Sequence, residues 1–191
     1  MGKGRLEAFS DGVFAIIITI MVLEIKAPET GSFRALLSQL PTFISYVLSF
    51  IYVGIYWNNH HHMFQLTEHV NGRILWANLH LLFWLTLVPF STAWMGNTHF
   101  AHAPMAVYGL NLFITAIAYV ILQKSILKEN GTDSRMAKAL GNKWKENLSP
   151  VLYIMGIALA FFNPYLSGAF YVIVAFIWLI PDKRIEKAFK A

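Results

Sequence analysis

The run Arg5-Leu6-Glu7-Ala8-Phe9-Ser10-Asp11-Gly12-Val13-Phe14-Ala15-Ile16, which continues apolar through Leu23 and closes at Lys26, decides how the rest of the chain is read. It carries no charge from Gly12 to Leu23, yet it opens on an arginine and holds an aspartate near its start. An ionisable side chain inside a membrane helix is costly and needs a partner. With about 100° between successive residues, Phe9, Gly12, Ile16, Thr19, Ile20 and Leu23 share one face. Asp11 falls on the far side. The helix thus offers two surfaces: a stripe of apolar and small residues, and a polar anchor turned towards neighbouring helices.

The whole chain follows the same pattern. Of its 191 residues 57% are hydrophobic and 13% charged, against about 25% charged in soluble domains. Long charge-free runs alternate with short polar segments, which defines an all-α integral membrane protein. Cysteine is absent, so disulfides, thiolate metal sites and cysteine nucleophiles are excluded. The opening Met-Gly-Lys-Gly-Arg has no small-residue cleavage site after it, and the segment is expected to be retained as a helix.

Six transmembrane helices are expected, at approximately 6–25, 36–62, 74–95, 104–122, 148–162 and 164–180, each near the ~20 residues that cross a ~30 Å hydrocarbon core. Pro89 predicts a kink in the third and Pro104 suits the first turn of the fourth. A five-span chain with a re-entrant fifth stretch is the alternative. Thirteen lysines and arginines fall on one set of connections and only Lys26 and Arg34 on the other. That asymmetry places both termini in the cytoplasm, with a basic cytoplasmic linker at 123–147, part helical from Ser134 to Trp144. The net charge of +5 is therefore topogenic and does not predict a nucleic-acid partner.

On this topology Asp11 lies at the membrane level of Tyr56, Trp57, Asn58, Asn59, His60, His61 and His62 at the end of the second helix. Trp76, Asn78 and His80 at the start of the third reach the same level. Trp, Asn and neutral His donate hydrogen bonds to a carboxylate, so these residues are expected to form one polar network tying three helices together. A metal site and a proton relay are the competing readings. Three consecutive histidines point about 100° apart, whereas zinc favours i, i+3 or i, i+4 pairs. Asp133 and Asp182 lie in polar connections, against an intramembrane aspartyl protease, and Ser167 lacks strong nucleophile flanks. Ser45, Ser49, Thr86 and Thr115 read as hydroxyls bonded back to their own helix carbonyls.

The pattern Arg5-x-x-x-Phe9-Ser10-Asp11 resembles the R-x-x-x-F-S-D signature of the lysosomal potassium channel family, in particular its prokaryotic members. Tyr56-Trp57-Asn58-Asn59-His60-His61, Asn78 and Pro89-Phe90 are similar to that family as well. The resemblance covers essentially the whole chain. It implies a potassium-preferring cation channel in the cell membrane with no P-loop, no cofactor and no enzymatic activity, K+ being the permeant ion. Animal relatives carry two six-helix repeats, so this single repeat implies a homotetramer whose partners are its own copies and membrane lipid. Carried over by offset, Ile16 forms the pore constriction with Thr19 and Leu23 above it, and Gly12 and Ile20 are pore-face neighbours. Arg5, Phe9, Ser10, Asp11, Trp57, His60, Asn78 and His80 form the structural network. The alternatives are a proton channel or proton-coupled transporter using Asp11 and the histidines, and a non-transporting assembly protein.

Overall fold

In lipid, a charge-free run of leucine, isoleucine and phenylalanine can satisfy its backbone polar groups only by forming a helix. The computed structural model describes residues 2–131, 134–139 and 144–179. Among these the helices are α1 (Lys3–Leu23), α2 (Phe33–Leu37), α3 (Leu40–Gln65), α4 (Gly72–Thr86), α5 (Val88–Asn97), α6 (His102–Asn130), α7 (Arg135–Ala139), α8 (Trp144–Ala160) and α9 (Pro164–Leu179). Lys3–Leu23, Leu40–Gln65, Gly72–Asn97 and His102–Asn130 are long and apolar enough to cross a membrane. The hairpin helices α8 and α9 have 17 and 16 residues.

Three boundaries differ from the expected ones. The second long helix starts at Leu40, not near 36, because Pro41 sits in its first turn and a turn at 38–39 separates it from α2. It then runs on through all three histidines to Gln65. The third breaks at Leu87, since Pro89 has no N–H to continue the ladder, and α5 restarts with that proline in its first turn. The largest correction concerns the linker expected at 123–147. Helix α6 continues to Asn130, because Gln123, Lys124, Leu127, Lys128 and Glu129 are good helix formers, and it stops only at Gly131, whose φ is 85°. Helix α8 already begins at Trp144. Asp133, the end of the expected sixth span at Ile180, Asp182 and the basic segment from Lys183 to Lys190 lie outside the described residues.

Helix α6 is the centre of the bundle. It buries Tyr108, Leu112, Thr115, Ala118, Leu122 and Ile126, and it packs against α4, α5, α8 and α9. Helices α8 and α9 turn at Asn163, whose Oδ1 accepts the N–H groups of Tyr165 and Leu166, both at 3.1 Å. From α9, Tyr171 reaches between α6 and α8; it donates its hydroxyl to the Met105 carbonyl (3.2 Å) while its own carbonyl accepts the Tyr52 hydroxyl (2.5 Å). Gly109 and Gly156 let that ring in: a Cβ at Gly109 would lie 2.0 Å from the Tyr171 hydroxyl, and one at Gly156 2.5 Å from its ring.

A clasp closes the far end of α6. The Asn130 Oδ1 accepts the backbone N–H groups of Glu68 and His69, each at 2.8 Å, and its Nδ2 donates to the His69 carbonyl at 3.2 Å. Beside it Asn71 donates to the Glu129 carboxylate and caps α4 by accepting from Ile74 N–H. Helix α1 lies at the edge of the bundle against α3, α4 and α5.

Candidate functional site

The packing of α1 divides its surface cleanly. Leu6, Ser10, Phe14, Ile17 and Met21, at spacings of four, four, three and four, are buried against the bundle. The opposite stripe of Phe9, Gly12, Ile16, Thr19, Ile20 and Leu23 is exposed on the protomer, with Ile16 at 57% and Leu23 at 77%. An outward apolar face is ordinary for a helix in lipid, but glycine and threonine within it are not needed for lipid contact. The Thr19 hydroxyl donates back to the carbonyls of Ile16 (2.9 Å) and Ala15 (3.1 Å). Its proton is thus committed to the helix, while both lone pairs of the exposed side chain stay free to accept. Beside the stripe runs a groove of about 480 Å³ between Val13, Ile16 and Ile20 on α1 and Pro89, Phe90 and Ala93 on α5.

Behind the stripe lies a buried chain of three polar side chains. Ser10 donates to the Leu6 carbonyl (2.8 Å), Asn78 Nδ2 donates to Ser10 Oγ (2.9 Å), and His60 Nε2 meets Asn78 Oδ1 at 2.8 Å. Because the amide nitrogen of Asn78 is committed to Ser10, its oxygen is the acceptor and His60 holds its proton on Nε2. All three residues are at most 1% exposed. The imidazole is flanked by Phe14, edge-on at 5.5 Å, and Phe64 at 4.5 Å. One residue from each of α1, α4 and α3 is thereby bolted together in a dry site, where an unsatisfied partner would be expensive.

The expected single network is in fact divided. Asp11 stands one residue beyond Ser10, about 100° further round α1, and faces outward. Its Oδ1 accepts the Trp57 indole N–H at 3.0 Å, and Trp57 stacks on His61. This pair does not join the buried chain. His80, two residues from Asn78 and so about 200° away, sits on the exposed side of α4 and accepts from Trp84 Nε1 at 3.0 Å. Arg5 and Phe9 point outward, and among the described residues the Arg5 guanidinium makes no hydrogen bond within the protomer. The N-terminus is tied instead by Lys3, whose Nζ donates to the Gln65 carbonyl at 3.2 Å. Among the described residues no three His, Asp or Glu side chains come together as a metal cluster.

Ser49 departs from the expected back-bonding. It meets the Tyr108 hydroxyl at 3.0 Å and accepts from Thr92 at 2.7 Å, linking α3, α5 and α6. Ser45, Thr86 and Thr115 do bond to their own helix carbonyls. The tyrosine group around Tyr171 has its sequence signal in Gly109 and Gly156, which leave room for a large ring.

Similarity to known proteins sharpens the assignment. A family model described as "Endosomal/lysosomal potassium channel TMEM175" matches residues 5–89. A protein named as a potassium channel from Chryseobacterium sp. (strain P1-3) is 60% identical over 190 residues, spanning 100% of this chain and 99% of its own length. The crystal structure of a lysosomal potassium-selective channel TMEM175 homolog from Chamaesiphon minutus superimposes with a TM-score of 0.79 at 32% identity, covering 92% of this chain and 95% of that one. The human endosomal/lysosomal proton channel TMEM175 is 41% identical over 76 residues, which are 34% of this chain and 15% of the human protein. The helical bundle is thus a membrane ion channel and not an enzyme. The chain belongs to the TMEM175 family.

Proposed function

We propose that four copies assemble about one axis with α1 innermost, forming a potassium-preferring cation channel. The observation that carries this reading is the outward stripe of α1, which the protomer leaves uncovered from Phe9 to Leu23. Six spans per copy, both termini in the cytoplasm and a location in the cell membrane complete the proposal. They rest on the lysine and arginine asymmetry and on the two shorter hairpin helices α8 and α9 acting as spans. The groove between α1 and α5 is the surface on which a neighbouring copy would lie.

Four Ile16 side chains around an axis give an ion no ligands, so conduction requires water to stay with it, and a narrow ring blocks by dewetting. Potassium holds its hydration shell less tightly than sodium and passes a partly dehydrating ring more easily. Thr19, one turn further on, presents a lone pair to the lumen and supplies the polar contact that favours the larger ion.

The test is ion flux from liposomes containing purified Ile16→Asn and Ile18→Asn proteins. Ile18 lies on the packed side of α1. Ile16→Asn eases wetting, so flux rises and the preference for potassium over sodium shrinks; Ile18→Asn only lowers the yield of folded protein. Unchanged flux and selectivity in an assembled Ile16→Asn channel would remove α1 from the pore at this level. The second reading, proton conduction, is favoured by the human relative, a protein named as a proton channel, and by the outward position of Asp11. A proton flux that Asp11→Asn abolishes while potassium flux persists would establish it.

A further inference from the structure

A second cavity, distant from α1, lies inside the protomer between α3, α6, α8 and α9 and has a volume of about 280 Å³. Its walls are apolar, but its rim is not. Lys124 of α6 and Glu146 of α8 both line it, and among the described residues they form no ion pair with each other. Glu146 Oε1 accepts from Gln123 at 2.9 Å, and among the described residues its second oxygen has no donor. Two phenols, Tyr56 and Tyr119, reach the same space. Tyr56 is 9% exposed, the two rings meet edge-on at 6.1 Å, and neither hydroxyl has a hydrogen-bond partner among the described residues. Trp178 closes one wall, its indole N–H held by Ser149 at 2.8 Å.

This combination needs an occupant with an apolar body, hydrogen-bond acceptors near its head and charges of both signs at its tip. Phenols that open on an apolar space in lipid have no water to bond, and a cation and an anion that do not pair with each other among the described residues match a zwitterion on that rim. The cavity opens beside Ile117 and Ile121, which are 40% and 41% exposed on the outer face of α6. The entrance therefore faces the bilayer, one to two turns below the lysine level where headgroups lie.

We infer that the cavity is a binding site for one phospholipid with a primary-amine, zwitterionic headgroup of the phosphatidylethanolamine type. One acyl chain enters past Ile117 and Ile121. The phosphate and ester oxygens take the Lys124 ammonium and the Tyr56 and Tyr119 hydroxyls, and the ammonium donates to Glu146. Phosphatidylcholine cannot donate from its quaternary nitrogen, and phosphatidylglycerol brings no cation for Glu146. The site is independent of the pore assignment.

Native mass spectrometry of the full-length protein in mild detergent, re-equilibrated with each of these three lipids, tests the inference. Phosphatidylethanolamine is expected to be retained at one molecule per chain, and the other two about tenfold less, the scale of one lost charge-assisted hydrogen bond. Lys124→Gln and Glu146→Gln are each expected to lower phosphatidylethanolamine retention about tenfold. Ala116→Phe fills the cavity and removes the lipid altogether. Should that variant fail to fold, the two rim substitutions decide the matter alone. Equal retention of all three lipids, no retained lipid, or rim variants that hold it like the wild type would each overturn the site.

Discussion

Asn78 is the residue on which the packing of α1 turns, because it is the only member of the Ser10–Asn78–His60 chain bonded to both others. Asn78→Leu keeps the branched shape in a slightly larger side chain, strands the His60 N–H in a dry site and leaves the Ser10 oxygen without its donor, although the Ser10 hydroxyl still bonds the Leu6 carbonyl. Each unsatisfied buried group costs about 1–3 kcal/mol, although hydrogen bonds between membrane helices average nearer ~0.6 kcal/mol in measured cycles. The expected loss is therefore about 1–3 kcal/mol in all, read as a lower midpoint in thermal unfolding of the detergent-solubilised protein. His80→Ala is the control. It removes an exposed acceptor of Trp84 and is expected to stay within about 0.5 kcal/mol of wild type. The sequence places both residues within one turn of α4, but position along a helix does not give azimuth. Only the 200° between positions 78 and 80 separates a bolt from a surface histidine, and that follows once the buried face of α4 is known.

At the scale of helices, the most constrained contact is the one Tyr171 makes between α6 and α8. Its ring has glycine on both sides and the Met105 carbonyl at its tip, so it cannot withdraw from a new methyl without losing a hydrogen bond. Gly109→Ala is expected to cost about 1–3 kcal/mol by overpacking. Gly109→Ala combined with Tyr171→Leu should recover part of that loss. A double-mutant cycle on unfolding midpoints measures the coupling, and strict additivity would show that ring and glycine do not oppose each other. Helix existence was legible in the apolar runs, since lipid leaves the backbone no other choice. Helix ends were less so. Charge marks the membrane boundary, but a helix of good formers carries on through the boundary until a glycine or proline stops it, as α6 does at Gly131.

For the assembled molecule, Asp11 is the informative residue. On the protomer it is exposed, and an exposed hydrogen-bonded pair contributes little, at most about 1 kcal/mol. Asp11→Ala is thus expected to leave the folded protomer nearly as stable as before. If the outward face of α1 is where copies meet, the same substitution should shift the oligomer distribution in size-exclusion chromatography with light scattering towards smaller species. Asp11→Asn retains an acceptor for Trp57 and is expected to assemble normally. A fully assembled Asp11→Ala protein would show that this carboxylate lies outside the interface. The stripe itself was legible from the first helix alone, because a period of 3.6 residues needs no tertiary information. What the stripe faces is not a property of one chain, and only the arrangement of copies can supply it.

The Asn130 clasp also sets an order of events during synthesis. It joins the connection around residues 68–71 to a side chain some sixty positions later in the chain. Ser10, His60 and Asn78 can meet as soon as α4 has left the ribosome, whereas the backbone of Glu68 and His69 waits for its partner until the last turn of α6 has emerged. A nascent chain halted before Asn130 emerges should therefore carry an assembled α1–α3–α4 unit with a protease-sensitive connection at 68–69, and that connection should become resistant once Asn130 has left the ribosome. The middle of the sequence is a checkpoint in time: one short connection in the first half waits for one asparagine.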